Sequence, residues 1–517
     1  MNKKVEIFDT SLRDWFQGSK KIAKVDDKIQ ISKVLDEFWV DSIEVWFARA
    51  SSDDFEAIDK VSKMVNARVY SLARANIEDI NQAYEALKDG NNYWIHTFIW
   101  TSPSHREKLW KNQEEILESV KKYVWYTNDL LKWKWKLMFS PEDALRTERD
   151  FLYKVIEVAK QYWAEIINIP DTVWFAQPEQ IKEIITQSRK IVWNNVDLSI
   201  HAHNDLWNAS ANSLAALLAW ADMIQWTFPP LFWERAWNTD LVQVITNLIK
   251  CRDYFQLELN EKIVLENIYP LVTRISEIVW ERIPEKFPII WRWVHTHWSW
   301  IHQDWVNKRS DTYEILSPEE IWLVREQSFF LTNLSWRAWL KNAIKKYFLI
   351  DLEEDKLDLF YDKFMQLTKT RDYIEMDDIR ELLNSNWFEI KRYVSLDDYN
   401  VTLTWEERIL AESIFYSKNS ENHVKEYWVW PVDAIFKTIK KKYDLENEVE
   451  LIDFTIDALW KKTEALAKVY MKLKIWDIIY EEESINKDIV KASINAYLNW
   501  LDRILRDKNN KNSLQNW

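Results

Sequence analysis

Two of the eight histidines in this chain stand two residues apart, in His201-Ala202-His203-Asn204-Asp205. On a β-strand, side chains two apart face the same way, so both imidazoles can reach one point. Alone, such a pair is as often a satisfied polar couple as a metal site. Asp14 and Asn238 shift the balance if the fold brings them to the same rim. Two imidazoles, a carboxylate and an amide oxygen suit a divalent ion with positions left open for substrate. Mn2+, Mg2+ and Zn2+ all fit that donor set, and the donors do not choose among them.

Other polar residues follow the same pattern. Arg13 adjoins Asp14. It reads either as a charge partner for Asp14 or Glu234, or as a fixed cation for a developing oxyanion, and the second reading is preferred. Glu142 reads as a helix cap or as an acid/base group. The hydroxyls of Ser140 and Thr172 suit a substrate carboxylate. Glu44, Arg74 and His96 complete the candidate substrate-binding set.

These residues share one feature: each lies at or near the end of a β-rich run. The runs span residues 5–9, 42–47, 68–73, 93–98, 136–140, 165–170, 197–203 and 222–227. Amphipathic segments alternate with them, at 27–38, 54–65, 77–88, 149–162, 178–191 and 211–219. Eight strand–helix units in about 250 residues is the arithmetic of an α/β fold of the (β/α)8 TIM-barrel type, whose catalytic groups gather at the C-terminal strand ends. The strand ends read as polar and the strand bodies as apolar. A doubly wound open sheet is the rival, but it wants a Gly-rich phosphate loop after the first strand, and none is present. The expected domains are a barrel at 1–270, a helical linker region at 271–392 and a C-terminal α+β domain at 393–517. The last contains two similar halves, each of β-rich runs followed by a helix.

Composition excludes several classes. Lys and Arg total 69 against 83 Asp and Glu, for a net charge of −14, and no basic block suggests a nucleic-acid partner. The single cysteine, Cys251, excludes a disulfide framework and fits a reducing cytoplasm. The sequence has no run of about 18 apolar residues, the length needed to span a membrane.

The chain holds 34 tryptophans and 2 glycines, whereas glycine usually runs near 7%. Trp39, Trp163 and Trp220 each follow a helical run and precede a β-rich one. That slot is the helix C′ position, where the backbone turns left-handed and glycine is favoured. A genetic code that reads UGA as glycine would account for it. A truly Trp-rich chain is the alternative.

Several segments resemble the acetyl-CoA-dependent Claisen-condensing barrels, the family of the 2-isopropylmalate, homocitrate and citramalate synthases. Phe8-Asp9-Thr10-Ser11-Leu12-Arg13-Asp14 is similar to the family's opening signature. Ile95-His96-Thr97-Phe98, Phe139-Ser140-Pro141-Glu142-Asp143-Ala144 and Asn168-Ile169-Pro170-Asp171-Thr172-Val173 resemble its inner motifs. So do His201-Ala202-His203-Asn204-Asp205-Leu206 and Glu234-Arg235-Ala236-Trp237-Asn238. Ser299-Trp300-Ile301-His302-Gln303-Asp304 is similar to its linker motif, and Trp428-Val429-Trp430-Pro431-Val432-Asp433-Ala434 to its regulatory domain. The family has glycine where this chain has Trp15, Trp207, Trp233, Trp237 and Trp300. Phe16 and the apolar stretch 227–232 depart from its usual pattern, and both bear on the choice of 2-oxo acid.

The resemblance implies a metal, Mn2+ first, held by Asp14, His201, His203 and Asn238. It implies condensation of acetyl-CoA with a 2-oxo acid, 3-methyl-2-oxobutanoate before its citramalate and homocitrate counterparts, followed by thioester hydrolysis. Arg13 would polarise the carbonyl. Glu142 and His302 would serve as acid/base groups, His302 reaching in from a neighbouring subunit of a homodimer. L-leucine would be the feedback inhibitor bound by the C-terminal domain. A non-catalytic leucine-binding relic is the rival of another class. His295 and His297 read as structural.

Overall fold

Apolar runs of strand length, alternating with amphipathic helices, close the first half of the chain into a parallel barrel. The computed structural model describes residues 3–15, 24–132, 136–228, 238–279, 337–370, 396–403, 409–417, 420–445, 448–458, 466–475 and 478–514, with shorter pieces between 281 and 394. Two compact units result, Met1–Gln327 and Ser328–Trp517.

The barrel strands are β1 (Glu6–Asp9), β2 (Ser42–Trp46), β3 (Arg68–Arg74), β4 (Tyr93–Trp100), β5 (Leu137–Glu142), β6 (Ile166–Asp171), β7 (Asp197–Ala202) and β8 (Met223–Trp226). All neighbours pair in parallel, and β8 closes on β1. No strand end differs from its expected position by more than two residues. Phe8, Tyr70, Trp94, Met138, Ile166 and Met223 form an apolar cluster in the lumen. The Phe8 and Tyr70 rings lie 4.5 Å apart, and Tyr70 lies 5.5 Å from Trp94. This packed floor makes the barrel a core rather than a pore, as side-chain layers do throughout this fold.

Helices begin where a side chain satisfies the orphan amides of the first turn. Ser51 accepts from the Asp54 amide at the start of helix Ser52–Met64, and Asn76 from that of Asp79 before Ile77–Leu87. Before Gln113–Leu130 the pairing is reciprocal: Asn112 Oδ1 accepts from Glu115 N at 2.9 Å, and Glu115 Oε2 accepts from Asn112 N at 2.8 Å.

Several helix ends carry a tryptophan. After Val25–Glu37, the Trp39 amide donates to Asp36 O and the Val40 amide to Leu35 O. The same pair of bonds recurs at Trp110, Trp163, Trp220 and Trp322. This is the Schellman arrangement, which requires a left-handed residue at C′. Accordingly φ is 66° at Trp39, 55° at Trp110, 69° at Trp163, 77° at Trp220 and 60° at Trp322.

The second unit opens with three helices, Arg337–Phe348, Glu354–Leu367 and Met376–Asn384. They share a core that includes Leu340, Ile344, Phe360, Phe364 and Leu383. The expected linker at 271–392 therefore contributes to both units, because Pro318–Ile321 belongs to the first. The duplication seen in the sequence is real. Strands Asp398–Leu403, Ile409–Ser417 and Ser420–Trp428 form one antiparallel sheet, followed by helix Pro431–Lys442. Strands Val449–Ala458, Ala467–Ile475 and Ile478–Asn486 form the other, followed by Ile489–Leu514. The two helices meet through Phe436 stacked on Tyr497, with ring centroids 4.3 Å apart.

Trp163 has a positive φ and an exposed side chain. Trp163→Gly is expected to stabilise the protein by about 1 kcal/mol, because a Cβ in the left-handed region costs roughly 1–2 kcal/mol and glycine returns part of that as unfolded-state entropy. Urea unfolding checks this; an unchanged or lower midpoint would contradict it.

Candidate active site at the mouth of the barrel

A single π-helical turn, Ser11–Trp15, follows β1. Such turns re-aim side chains and often occur at functional sites. Here Asp9 anchors the turn by accepting from Ser11 N at 3.1 Å and Ser11 Oγ at 2.7 Å. The Thr10 amide donates to Trp226 O at 2.9 Å, tying the turn to β8. Leu12 is buried, and Arg13 and Asp14 lie together beside Glu44.

From Asp14 a continuous polar chain crosses the lumen. Thr10 Oγ1 donates to Asp14 Oδ2 at 2.9 Å, and Arg13 Nη2 donates to the same oxygen at 2.9 Å. Arg13 Nη1 also engages Asp14 Oδ1, and Arg13 Nε donates to Glu44 Oε2. Glu44 Oε1 lies 2.6 Å from His96 Nδ1, and His96 Nε2 lies 2.7 Å from Ser140 Oγ. Asn168 Nδ2 donates to Ser140 Oγ at 2.9 Å. Burial alone would raise the Glu44 pKa, but Arg13 and His96 outweigh it and hold it down to about 2. Glu44 is therefore a carboxylate, and His96 donates to it through Nδ1–H.

On the other side of Asp14, His201 Nε2 lies 3.4 Å from Asp14 Oδ2 and 3.1 Å from Asn238 Nδ2. The His203 ring stands edge-on to His201, centroids 4.9 Å apart. Asn238 is held there by a bridge to His203 and by the Thr239 amide, which donates to Ala202 O at 3.1 Å. Donors about 2.1 Å from a shared ion stand roughly 3.0–3.4 Å from one another, depending on coordination geometry. The spacings around His201 fit that requirement once the Asn238 amide turns its oxygen inward. Burial, then the charge of Arg13, lowers the His201 pKa to about 3, so the imidazole is neutral and has a lone pair to give. Among the described residues no three His, Cys, Asp or Glu side chains stand as a ready-made metal cluster. Arg13 engages both oxygens of Asp14 instead.

Glu142 ends β5 beside this cluster. Thr172 Oγ1 donates to Glu142 Oε1 at 3.1 Å and accepts from Asp143 N at 3.2 Å. Burial raises the Glu142 pKa to about 7, against the opposing pull of Thr172 and Arg13. A carboxyl so placed can hold or release a proton near neutrality. Its partner is Thr172 rather than the first amides of a helix, which favours the acid/base reading over the cap.

The structure thus brings together Arg13, Asp14, Glu44, His96, Ser140, His201, His203 and Asn238, with Glu142 and Thr172 beside them. Arg74 is not joined to them: its guanidinium is exposed and bonds Asp79 through Nε at 2.6 Å and Nη2 at 3.2 Å. His302, Glu234, Phe16, His295 and His297 lie outside the described residues. The expectation of apolar strand bodies needs correction at Asn168 and Gln225, which are buried within β6 and β8. Both could have been found as lone amides inside apolar runs, since a buried polar group needs a partner.

The HMGL-like family pattern matches residues 4–271, and the LeuA allosteric (dimerisation) domain matches residues 373–505. The 2-isopropylmalate synthase of Clostridium kluyveri is 33% identical over 509 residues, covering 98% of this chain and 97% of that protein. The 2-isopropylmalate synthase of Aquifex aeolicus is 32% identical over 511 residues, covering 98% and 96%. That of Streptococcus gallolyticus is 34% identical over 513 residues, covering 96% and 95%. The chain belongs to the 2-isopropylmalate synthase family.

Proposed function

We propose that the chain condenses acetyl-CoA with 3-methyl-2-oxobutanoate and hydrolyses the resulting thioester, giving 2-isopropylmalate and CoA. The observation that carries this reading is the convergence of Asp14, His201, His203 and Asn238 beside the largely buried Arg13–Glu44 pair. Those four residues would hold a divalent cation, Mn2+ before Mg2+ or Zn2+, which when bound withdraws electron density from the keto oxygen. Arg13 adds a fixed positive charge where negative charge grows on that oxygen. The hydroxyls of Ser140 and Thr172 would turn to the substrate carboxylate, with His96, held between Glu44 and Ser140, orienting the first. Glu142 exchanges protons, with His302 as its counterpart by resemblance to the family. A base takes a proton from the acetyl methyl group, the new C–C bond forms at the keto carbon, and the keto oxygen takes up a proton. Water then cleaves the C–S bond, leaving a carboxylate and the CoA thiol. The C-terminal unit would pair with that of a second subunit as a homodimer and bind L-leucine as feedback inhibitor.

Thiol release from acetyl-CoA, measured with each 2-oxo acid in turn, tests the reading. Release is expected to be fastest with 3-methyl-2-oxobutanoate. A preference for pyruvate or 2-oxoglutarate would assign the citramalate or homocitrate reaction instead, and no release with any acid would leave only a binding protein. His203→Ala should lower kcat more than about 100-fold, since even groups that merely support a metal ligand contribute 10- to 100-fold. Its circular dichroism should be unchanged; retained turnover would remove His203 from the site.

Glu142 also predicts a pH dependence of stability. Unfolded, it releases its proton near pH 4.5; folded, near pH 7. The stabilisation from the protonated carboxyl is therefore complete below pH 4.5 and lost as pH rises through about 7. In metal-free protein, Glu142→Gln should remove a fall of about 3 kcal/mol across that window, at about 1.4 kcal/mol per unit. Parallel pH series of chemical unfolding for the two proteins would show it, and identical slopes would refute it.

A further inference from the structure

We propose that Gln225 is a positioning residue for His201, holding the imidazole in the tautomer that leaves Nε2 unprotonated at the barrel mouth. The inference rests on the metal-site reading above and assigns a role to a residue outside the donor set. His201 and Gln225 are directly paired across β7 and β8, and both are buried. His201 Nε2 already faces Asp14 and Asn238. Its Nδ1 must then point back into the lumen. There, among the described residues, His201 Nδ1 and Gln225 Oε1 are both buried without another hydrogen-bond partner. Gln225 Nε2 donates to Met138 Sδ at 3.4 Å. That contact turns the amide so that its oxygen is the atom left for the imidazole. Donation from Nδ1–H to Oε1 satisfies both orphans and places the lone pair on Nε2. Metal-binding histidines generally need such an outer partner to fix ring and tautomer. Gln225 reaches neither the substrate nor the ion; it acts through His201.

The test compares the full chain with Gln225→Leu and Gln225→Glu. Mn2+ alone is titrated by electron paramagnetic resonance without substrates, and the His201 ring nitrogens are followed by 15N NMR in metal-free protein. Gln225→Leu should bind Mn2+ roughly 10- to 100-fold more weakly, with Nδ1–H protonation no longer dominant. Gln225→Glu, which keeps an acceptor oxygen, should recover most of the affinity. Wild-type Mn2+ affinity in Gln225→Leu, or an Nε2–H tautomer in the wild type, overturns the proposal. Absence of Mn2+ binding by the wild type would overturn the metal-site reading itself, while the 15N spectrum would still decide the Gln225 contact. Should Gln225→Leu fail to fold, the wild-type spectrum and Gln225→Glu decide alone.

Backbone geometry independently carries a second proposal: the natural polypeptide has glycine at the tryptophans of positive φ, from UGA codons read as glycine. Among the described residues fourteen non-glycine positions have positive φ, and eight of them are tryptophan. Tryptophan makes up only 34 of 517 residues, and positive φ is an outlier for a bulky side chain. At Trp193, φ is 55° and ψ −145°, a conformation open to little but glycine. Trp226 and Trp500 are fully buried and, among the described residues, no acceptor meets their indole N–H, whereas a buried tryptophan normally finds one. Tandem mass spectrometry of the protein from its natural source should read glycine at Trp39, Trp163, Trp193 and Trp220. Tryptophan in those peptides, or UGG at those codons, overturns the proposal.

Discussion

The site depends on how one largely buried guanidinium is shared. Arg13 lies between Asp14 and Glu44 inside a barrel whose walls are apolar. A charge there is tolerated only when it is paired and its hydrogen bonds are filled. Two carboxylates flanking one cation leave a net negative charge, and the imidazole of His96 takes up part of it through Glu44. Removing Arg13 would strand Glu44 in a setting that otherwise opposes ionisation. The same pairing stiffens the π turn after β1 and sets where Asp14 can reach.

Burial pushes two similar groups the same way, and their partners give opposite results. Glu44 and Glu142 are both deep in the mouth of the barrel. Arg13 and His96 keep the first ionised, whereas the second, hydrogen-bonded by Thr172 with Arg13 farther off, holds a proton to near neutrality. Two carboxylates in one cavity are thereby given different work, one positioning and one exchanging protons. The aromatic floor beneath them, built on Phe8, Tyr70 and Trp94, excludes water from below and keeps the effective dielectric low.

Much of this was legible before any coordinates. Strand positions followed from apolar runs of fitting length, and the polar residues at their ends marked the catalytic face. Trp39, Trp163 and Trp220 announced helix ends because only a left-handed residue suits that slot. Arg74 misled, since its position at a strand end does not say which way a long, flexible side chain turns, and Asp79 captures it. Asn168 and Gln225 stand out in the sequence only as lone amides in apolar runs, and what each does depends on neighbours that the fold supplies.

Local sequence determined the periodicities, the helix starts and stops, the duplicated C-terminal unit and the histidine pair on one strand face. These depend on contacts within a few residues, which the order of side chains encodes directly. Only the closed barrel decided that Asp14 and His201, 187 positions apart in the chain, would stand 3.4 Å from each other. The same closure sorted Glu44 from Glu142 and set Gln225 beside His201. Such outcomes depend on strand register and on shared burial, and these exist only once distant segments have packed together.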